Sequence, residues 1–194
     1  PPHIMGGAEK SVALLSEALV AAGHDVAAAC ITPGEWQEEM RHGVKVYRMP
    51  HETDFWPEEW PQHSVLARGV RRFKQQFNHR IEAHFARVID DFRPDVVHTH
   101  SLLDVSTRVW LAARERGLPI LHTLRDFDLA CANSAMCKDG RRCEGRHLKC
   151  KVMTFMKERH HLAVDAVVGV GAGILQSHLD MGYFDHVPAG RRRV

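Results

Sequence analysis

Short apolar runs alternate with longer stretches of helical period along most of this chain, and that alternation restricts the fold more than any other feature. From about Ala8 to Ala22 the positions Ala8, Val12, Leu15, Leu19 and Ala22 form one helical stripe, with Gly23 placed to end it. Asp25 to Ile31 reads as a buried strand, Pro33-Gly34 as a loop and Val44 to Arg48 as a second strand. The stretch from His51 to Ser64 mixes prolines, tryptophans and carboxylates without a period and reads as a loop. Leu66, Val70, Phe73, Phe77, Ile81, Phe85, Val88 and Phe92 step by three or four, which predicts one long helix or two joined near Asn78, closed by Pro94. Asp95 to His100, Pro119 to Leu124 and Ala166 to Val170 read as strands. Ser106 to Arg116, Lys151 to Ala163 and Ala172 to Met181 read as helices.

Strands separated by helices of this length require parallel β-α-β units with right-handed crossovers. The expected fold is therefore α/β, a doubly wound and mostly parallel Rossmann-like sheet occupying residues 1–194 as one domain. In such sheets ligands bind beyond the carboxyl ends of the strands. Three clusters fall there: Gly6-Gly7, His98-Thr99-His100 and Leu124-Arg125-Asp126. The glycine pair sits where a loop becomes a helix, a place where exposed backbone N–H groups favour an anion. The sequence contains neither a Gly-x-Gly-x-x-Gly fingerprint nor a phosphate loop ending in Gly-Lys-Ser/Thr.

With 44% hydrophobic and 26% charged residues, the 194-residue chain has the profile of a globular domain. Its formal net charge of +2 is too small a bias to imply nucleic acid as a partner. No apolar run approaches the roughly 18 residues of a membrane span, and nothing resembles a signal peptide, so a cytoplasmic setting is expected. The chain starts without Met and stops at Arg191-Arg192-Arg193-Val194, which reads as a fragment cut at both ends. Cys131, Cys137, Cys143 and Cys150 crowd one loop beside His147 but form no Cys-x-x-Cys pair. Free thiols, a structural zinc held by those four and disulfides are the three readings.

The segment Pro1-Pro2-x-x-x-Gly6-Gly7-Ala8-Glu9-Lys10, then Pro94-Asp95-Val96-Val97-His98-Thr99-His100, then His122-Thr123-Leu124-Arg125-Asp126-Phe127 and a cysteine-bearing loop together resemble the N-terminal domain of family-four glycosyltransferases. The likeness runs over nearly the whole chain. It implies a GT-B architecture of two facing Rossmann-like domains, of which this chain is the acceptor-side half and the donor-binding half is absent. It implies retaining transfer of a sugar from a nucleotide-sugar donor to a glycan, lipid-linked or small-molecule acceptor, within cell-envelope polysaccharide biosynthesis. The nucleotide sugar is then a co-substrate, and no other cofactor and no metal is called for. Front-face substitution is implied, with the leaving diphosphate helping to deprotonate the acceptor while the protein positions and stabilises charge. Such proteins place a hydrophobic strand directly before the glycine loop, so this sheet is expected to lack its first, central strand. The isolated chain is expected to be inactive.

The resemblance also assigns roles. Gly6 and Gly7 match the glycine loop facing the donor diphosphate and acceptor, and His100 matches a histidine directed at the transferred sugar. His98 lies two residues earlier on the same side of the strand. Arg125 offers a guanidinium for phosphate or carboxylate, and Asp126 a carboxylate to orient it or accept a sugar hydroxyl; a local ion pair between them is the alternative. Glu9 reads as a dipole-favoured surface residue. Gly171-Ala172-Gly173 departs from the family, which often places a serine there to begin the helix. Trp56, Trp60, Phe73 and Phe77 with Arg68, Arg71, Arg72 and Lys74 offer an aromatic and basic surface for peripheral contact with the inner face of a membrane. The competing expectation is that the apolar side of this helix covers the sheet and its basic side is solvated. Two further readings remain open: a stand-alone sugar- or phosphate-binding module, and half of a GT-B-like sugar-nucleotide epimerase.

Overall fold

A computed structural model of the chain describes residues 6–194. Pro1 to Met5, the leading part of the expected glycine loop, lie outside the described residues. The chain opens with α1 (Gly7–Ala21), then β1 (Ala27–Thr32), β2 (Gln37–Arg41) and β3 (Val44–Pro50). A 3-10 turn at Pro57–Gln62 leads into α2 (Val65–Gln75) and α3 (His79–Phe92). The second half runs β4 (Val97–His100), α4 (Arg108–Glu115), β5 (Ile120–Leu124), a small hairpin of β6 (Cys137–Lys138) and β7 (Arg141–Arg142), α5 (Leu148–His160), β8 (Ala166–Gly169), α6 (Ala172–Asp180) and β9 (Arg192–Arg193).

The α/β alternation is as the sequence predicts, and β4, β5, β8 and β9 pair in that order, all parallel. Strand β1 pairs parallel with β3, while β2 returns antiparallel on the outer edge. Among the described residues no ladder joins β1 to β4, so the strands form two separate sheets. Helix α3 spans the division. Its Val88 packs with Tyr47 and Met49 of β3, and its Ile81 and Ile89 join the larger core of Val97, Val109, Trp110, Ile120 and Val167. Ile31 of β1 and Phe85 of α3 touch both clusters.

The stretch from Leu66 to Phe92 is two helices. Asn78 separates them, its Oδ1 accepting the Ile81 N–H at 3.2 Å as an N-cap. Strand β2 goes beyond the sequence reading: all five of its residues are exposed, so no alternation marks it. It pairs Arg41 with Val44 across His42-Gly43, two residues with φ of 49° and 81°, the two-residue turn whose twist suits a hairpin.

The expectation that α2 covers the sheet with its apolar side is overturned. Leu66, Val70, Phe73 and Phe77 are 77, 42, 37 and 38% exposed, while Arg71 and Gln75 are buried. The inward polar face satisfies loop groups that would otherwise be orphaned. Arg71 donates from Nε to the Phe55 carbonyl and from Nη1 to Asp104, both at 2.9 Å. Gln75 donates to the Leu103 carbonyl at 2.6 Å, and the Gln76 side chain accepts the Met156 N–H at 3.1 Å. Trp56, Trp60, Arg68 and Arg72 are half-buried and Arg71 is buried, so of the residues expected on that surface only Phe73, Lys74 and Phe77 are exposed.

Candidate functional site at the strand ends

His98 and His100 alternate with buried Val97 and Thr99 along β4, which puts both imidazoles on one side of the sheet with ring centroids 3.9 Å apart. His98 Nε2 lies 2.8 Å from Thr123 Oγ1 on β5, the residue in register with His100. Arg125, just past the end of β5, places Nη2 3.4 Å from His100 Nδ1. A guanidinium can only donate, so Nδ1 is the acceptor and the proton of a neutral His100 sits on Nε2. Burial, then His98 and Arg125, push the His100 pKa down to about 3; burial and Arg125 lower that of His98. Both rings are neutral at ordinary pH.

The loops beyond the two strands are tied together. The Ser101 hydroxyl donates to Asp126 Oδ2, and Asp126 Oδ1 accepts the Asp128 N–H at 2.8 Å. Both Asp126 oxygens are thus engaged in holding the loop, and no ion pair between Arg125 and Asp126 is present among the described residues. Arg125 Nε is buried without a hydrogen-bond partner among the described residues, leaving one guanidinium donor unanswered. Ser101 holds φ at 36°, a conformation that costs a non-glycine residue and that clusters at functional loops.

Behind the imidazoles lies a layer that sequence reasoning did not place in the site. Trp110 donates to Thr99 Oγ1 at 2.9 Å, and Thr99 Oγ1 lies 2.9 Å from His122 Nδ1. Burial lowers the pKa of His122 to about 3, so it too is neutral. Thr99 and His122 form this layer, while Thr123 faces His98 on the imidazole side. The signal for Thr99 is its parity: it falls between His98 and His100 on β4 and so faces the opposite side of the sheet.

The glycine pair belongs to the other sheet. Gly6 caps α1 with φ of −167° and no side-chain bond, and Gly7 begins the helix. The far end of α1 sits at the start of β3, where a Cβ added to Gly43 would meet Val20 Cγ1 at 2.7 Å. None of the described hydrogen bonds joins Gly6 or Gly7 to the His98, His100 and Arg125 cluster. Glu9 turns an oxygen back toward Gly6, and that oxygen is buried without a partner among the described residues.

The thiols of Cys131, Cys137, Cys143 and Cys150 are free. Partial burial and the neighbouring thiols of Cys131, Cys150 and Cys137 hold the Cys143 thiol above its usual pKa. Among the described residues no group of three or more His, Cys, Asp or Glu is placed to hold a metal ion. Gly171 caps α6 without a side-chain bond, in keeping with its departure from serine. A cavity of about 280 Å³ is lined by Glu52, Asp54, Arg71, Lys74 and Arg80, and another of about 320 Å³ by Phe127, Met136, Cys137, Arg142 and Ser177. Neither is lined by His98, His100, Arg125 or Asp126, which instead sit at an open strand edge.

The chain is similar to known proteins. The glycosyl transferase 4-like domain family matches residues 6–194. A Klebsiella pneumoniae protein described as an uncharacterized 42.6 kDa protein in the cps region is 29% identical over 184 residues, covering 94% of this chain and 49% of the relative. The chain thus spans about half the length of that relative. A UDP-N-acetylglucosamine 2-epimerase from Rickettsia bellii superposes over 68% of this chain and 27% of its own, at 13% identity and a TM-score of 0.37.

Proposed function

Because the chain belongs to the glycosyl transferase 4-like family, we propose that it is the acceptor-side half of a retaining GT-B glycosyltransferase of cell-envelope polysaccharide synthesis. The relative in the cps region, twice as long, supports that reading. The donor is a nucleotide sugar, the acceptor a glycan, lipid-linked or small-molecule hydroxyl, and the second domain completes the cleft. Alone, the chain does not turn over.

The observation that carries the proposal is the neutral His100 at the open strand edge, fixed by Arg125 so that Nε2–H is its free donor. A neutral donor suits a hydroxyl of the transferred sugar, because it binds without competing for the acceptor proton. The spare Arg125 donor lies one side chain away and suits a phosphate or carboxylate oxygen. Gly6 and Gly7, at the start of α1, are assigned the backbone N–H groups that meet the donor diphosphate, and His98 backs His100 from its own hydrogen bond to Thr123. Asp126 acts through the loop it braces. Charge stabilisation of the departing diphosphate is left to positioning, with no nucleophilic carboxylate assigned.

The test is the full-length protein assayed against a panel of nucleotide sugars, with His100→Ala beside it. Turnover is expected to fall by roughly 100-fold or more in the variant, the scale of losing one preorganised contact in the transition state. Turnover that survives reduces His100 to a structural residue. A protein that only binds the donor, or interconverts it, replaces the transfer reading with a binding module or an epimerase.

A further inference from the structure

The exposed apolar side of α2 continues onto α5. Leu148, Val152 and Phe155 fall on one helical stripe, with Leu148 and Val152 78 and 50% exposed. The two stripes meet in an aromatic cluster. Phe73 and Phe77 have centroids 5.6 Å apart, and Phe155 lies 6.5 and 5.8 Å from them. A continuous apolar face built from two helices is more than scattered surface leucines, and such faces mark contact surfaces.

Charge on these helices is equally one-sided. Together α2 and α5 carry eight Lys and Arg residues and one carboxylate, Glu158, in a chain whose formal net charge is only +2. Arg71 and Lys157 are buried against Asp104 and Asp128, Arg72 reaches the Ala132 carbonyl and Glu158 pairs with Arg146. Lys149 and Lys151 flank the α5 stripe on its two sides, exposed and in no ion pair among the described residues; Lys74 flanks that of α2 and is paired with Asp54 at 2.9 Å. Apolar side chains with cations along their borders match a surface that is apolar in depth and negatively charged at its face. No helix among the described residues is long and apolar enough to cross a bilayer, so such contact is peripheral.

We propose that the joined faces of α2 and α5 dock this protein on an anionic lipid bilayer, with Leu66, Phe73 and Val152 in the acyl boundary and Lys149 and Lys151 among the headgroups. This surface differs from the aromatic and basic set expected from sequence, since α5 replaces the two tryptophans. It stands independently of the sugar-transfer reading.

The test is sedimentation of the full-length protein with vesicles of phosphatidylcholine alone and of phosphatidylcholine mixed with phosphatidylglycerol. Binding is expected only to the mixed vesicles and is expected to weaken as salt rises. Lys149→Gln with Lys151→Gln should weaken it roughly 25-fold, about fivefold for each cation removed. Leu66→Ser with Phe73→Ser should abolish it at an unchanged melting temperature; if that pair misfolds, Leu66→Ser alone, at the most exposed position, must weaken it. Wild-type protein that stays in the supernatant at low salt overturns the proposal. So does binding that ignores these variants, or a wild-type dimer that Phe73→Ser dissociates while vesicles remain unbound.

Discussion

The two sheets are built from similar α/β units but enclose different interiors. Around β1 and β3 the buried cluster is Tyr47, Met49 and Val88, α1 buries no residue and β2 is wholly exposed. Around β4, β5 and β8 the interior holds Trp110, Ile120, Tyr183 and Phe184, and with them the buried imidazoles His122, His160, His161 and His178. The first sheet is a thin cover held on by α3. The second is a rigid platform whose polar interior orients the strand ends. A site requiring neutral histidines in fixed tautomers is served by that enclosure, because burial, with nearby positive charge, holds an imidazole neutral well below neutral pH.

Acid should expose this difference most strongly. Burial lowers the pKa of His122 and His100 to about 3 and of His160 and His161 to about 4, from 6.5. As pH falls the unfolded chain binds protons first, so stability is complete above about 6.5 and declines toward 4. His122 alone, 3% exposed, costs about 2 kcal/mol by pH 5. With the others, discounted for partial exposure, the loss approaches the whole stability of a domain, roughly 5 kcal/mol or more. Carboxylates with lowered pKa, such as Glu52, Asp90 and Asp91, start from 4.5 or 3.8 and add to the loss only further down. Hydrogen exchange at pH 8, 6 and 5 should show β4 and β5 amides losing protection ahead of those in β1 and β3. Equal loss in both sheets would break the comparison.

Large-to-small substitutions sharpen it at fixed pH. Trp110 is fully buried and donates to Thr99, so Trp110→Ala should cost about 3–5 kcal/mol in denaturant unfolding. Met49→Ala, in the smaller core, should fall at the low end of its class, about 2 kcal/mol. Equal costs would mean that the first sheet is packed as tightly as the second.

The sequence carried the second half far more legibly than the first, for physical reasons. Strands β4, β5 and β8 are short segments containing β-branched residues, two of them set off by Pro94 and Pro119. The Asn78 cap was visible as a polar break in an apolar period. Strand β2, Gln-Glu-Glu-Met-Arg, buries nothing, so no hydrophobic rule could find it; only His42-Gly43 hinted at a turn. Helix α2 shows a strong period, but a period says which residues share a face and not which way that face turns. The grouping of His98, His100 and Arg125 followed from strand parity and the rule that ligands sit at strand ends. That both Asp126 oxygens brace the loop depends on Ser101 and Asp128, contacts that no local pattern encodes.

The smallest effect tests how firmly the cover is attached. Gly43 has φ of 81°, and a Cβ there would lie 2.7 Å from Val20 Cγ1. Gly43→Ala therefore carries two separable costs, a left-handed backbone of about 1–2 kcal/mol and a clash with α1. Val20→Ala removes the clash and leaves the backbone strain. If α1 is loosely seated, as its lack of buried residues implies, it shifts to relieve the clash, and the double variant recovers less than about 0.5 kcal/mol over Gly43→Ala. A recovery of 1 kcal/mol or more would mean that α1 is held rigidly against β3, and the first sheet would then be a packed layer rather than a thin cover.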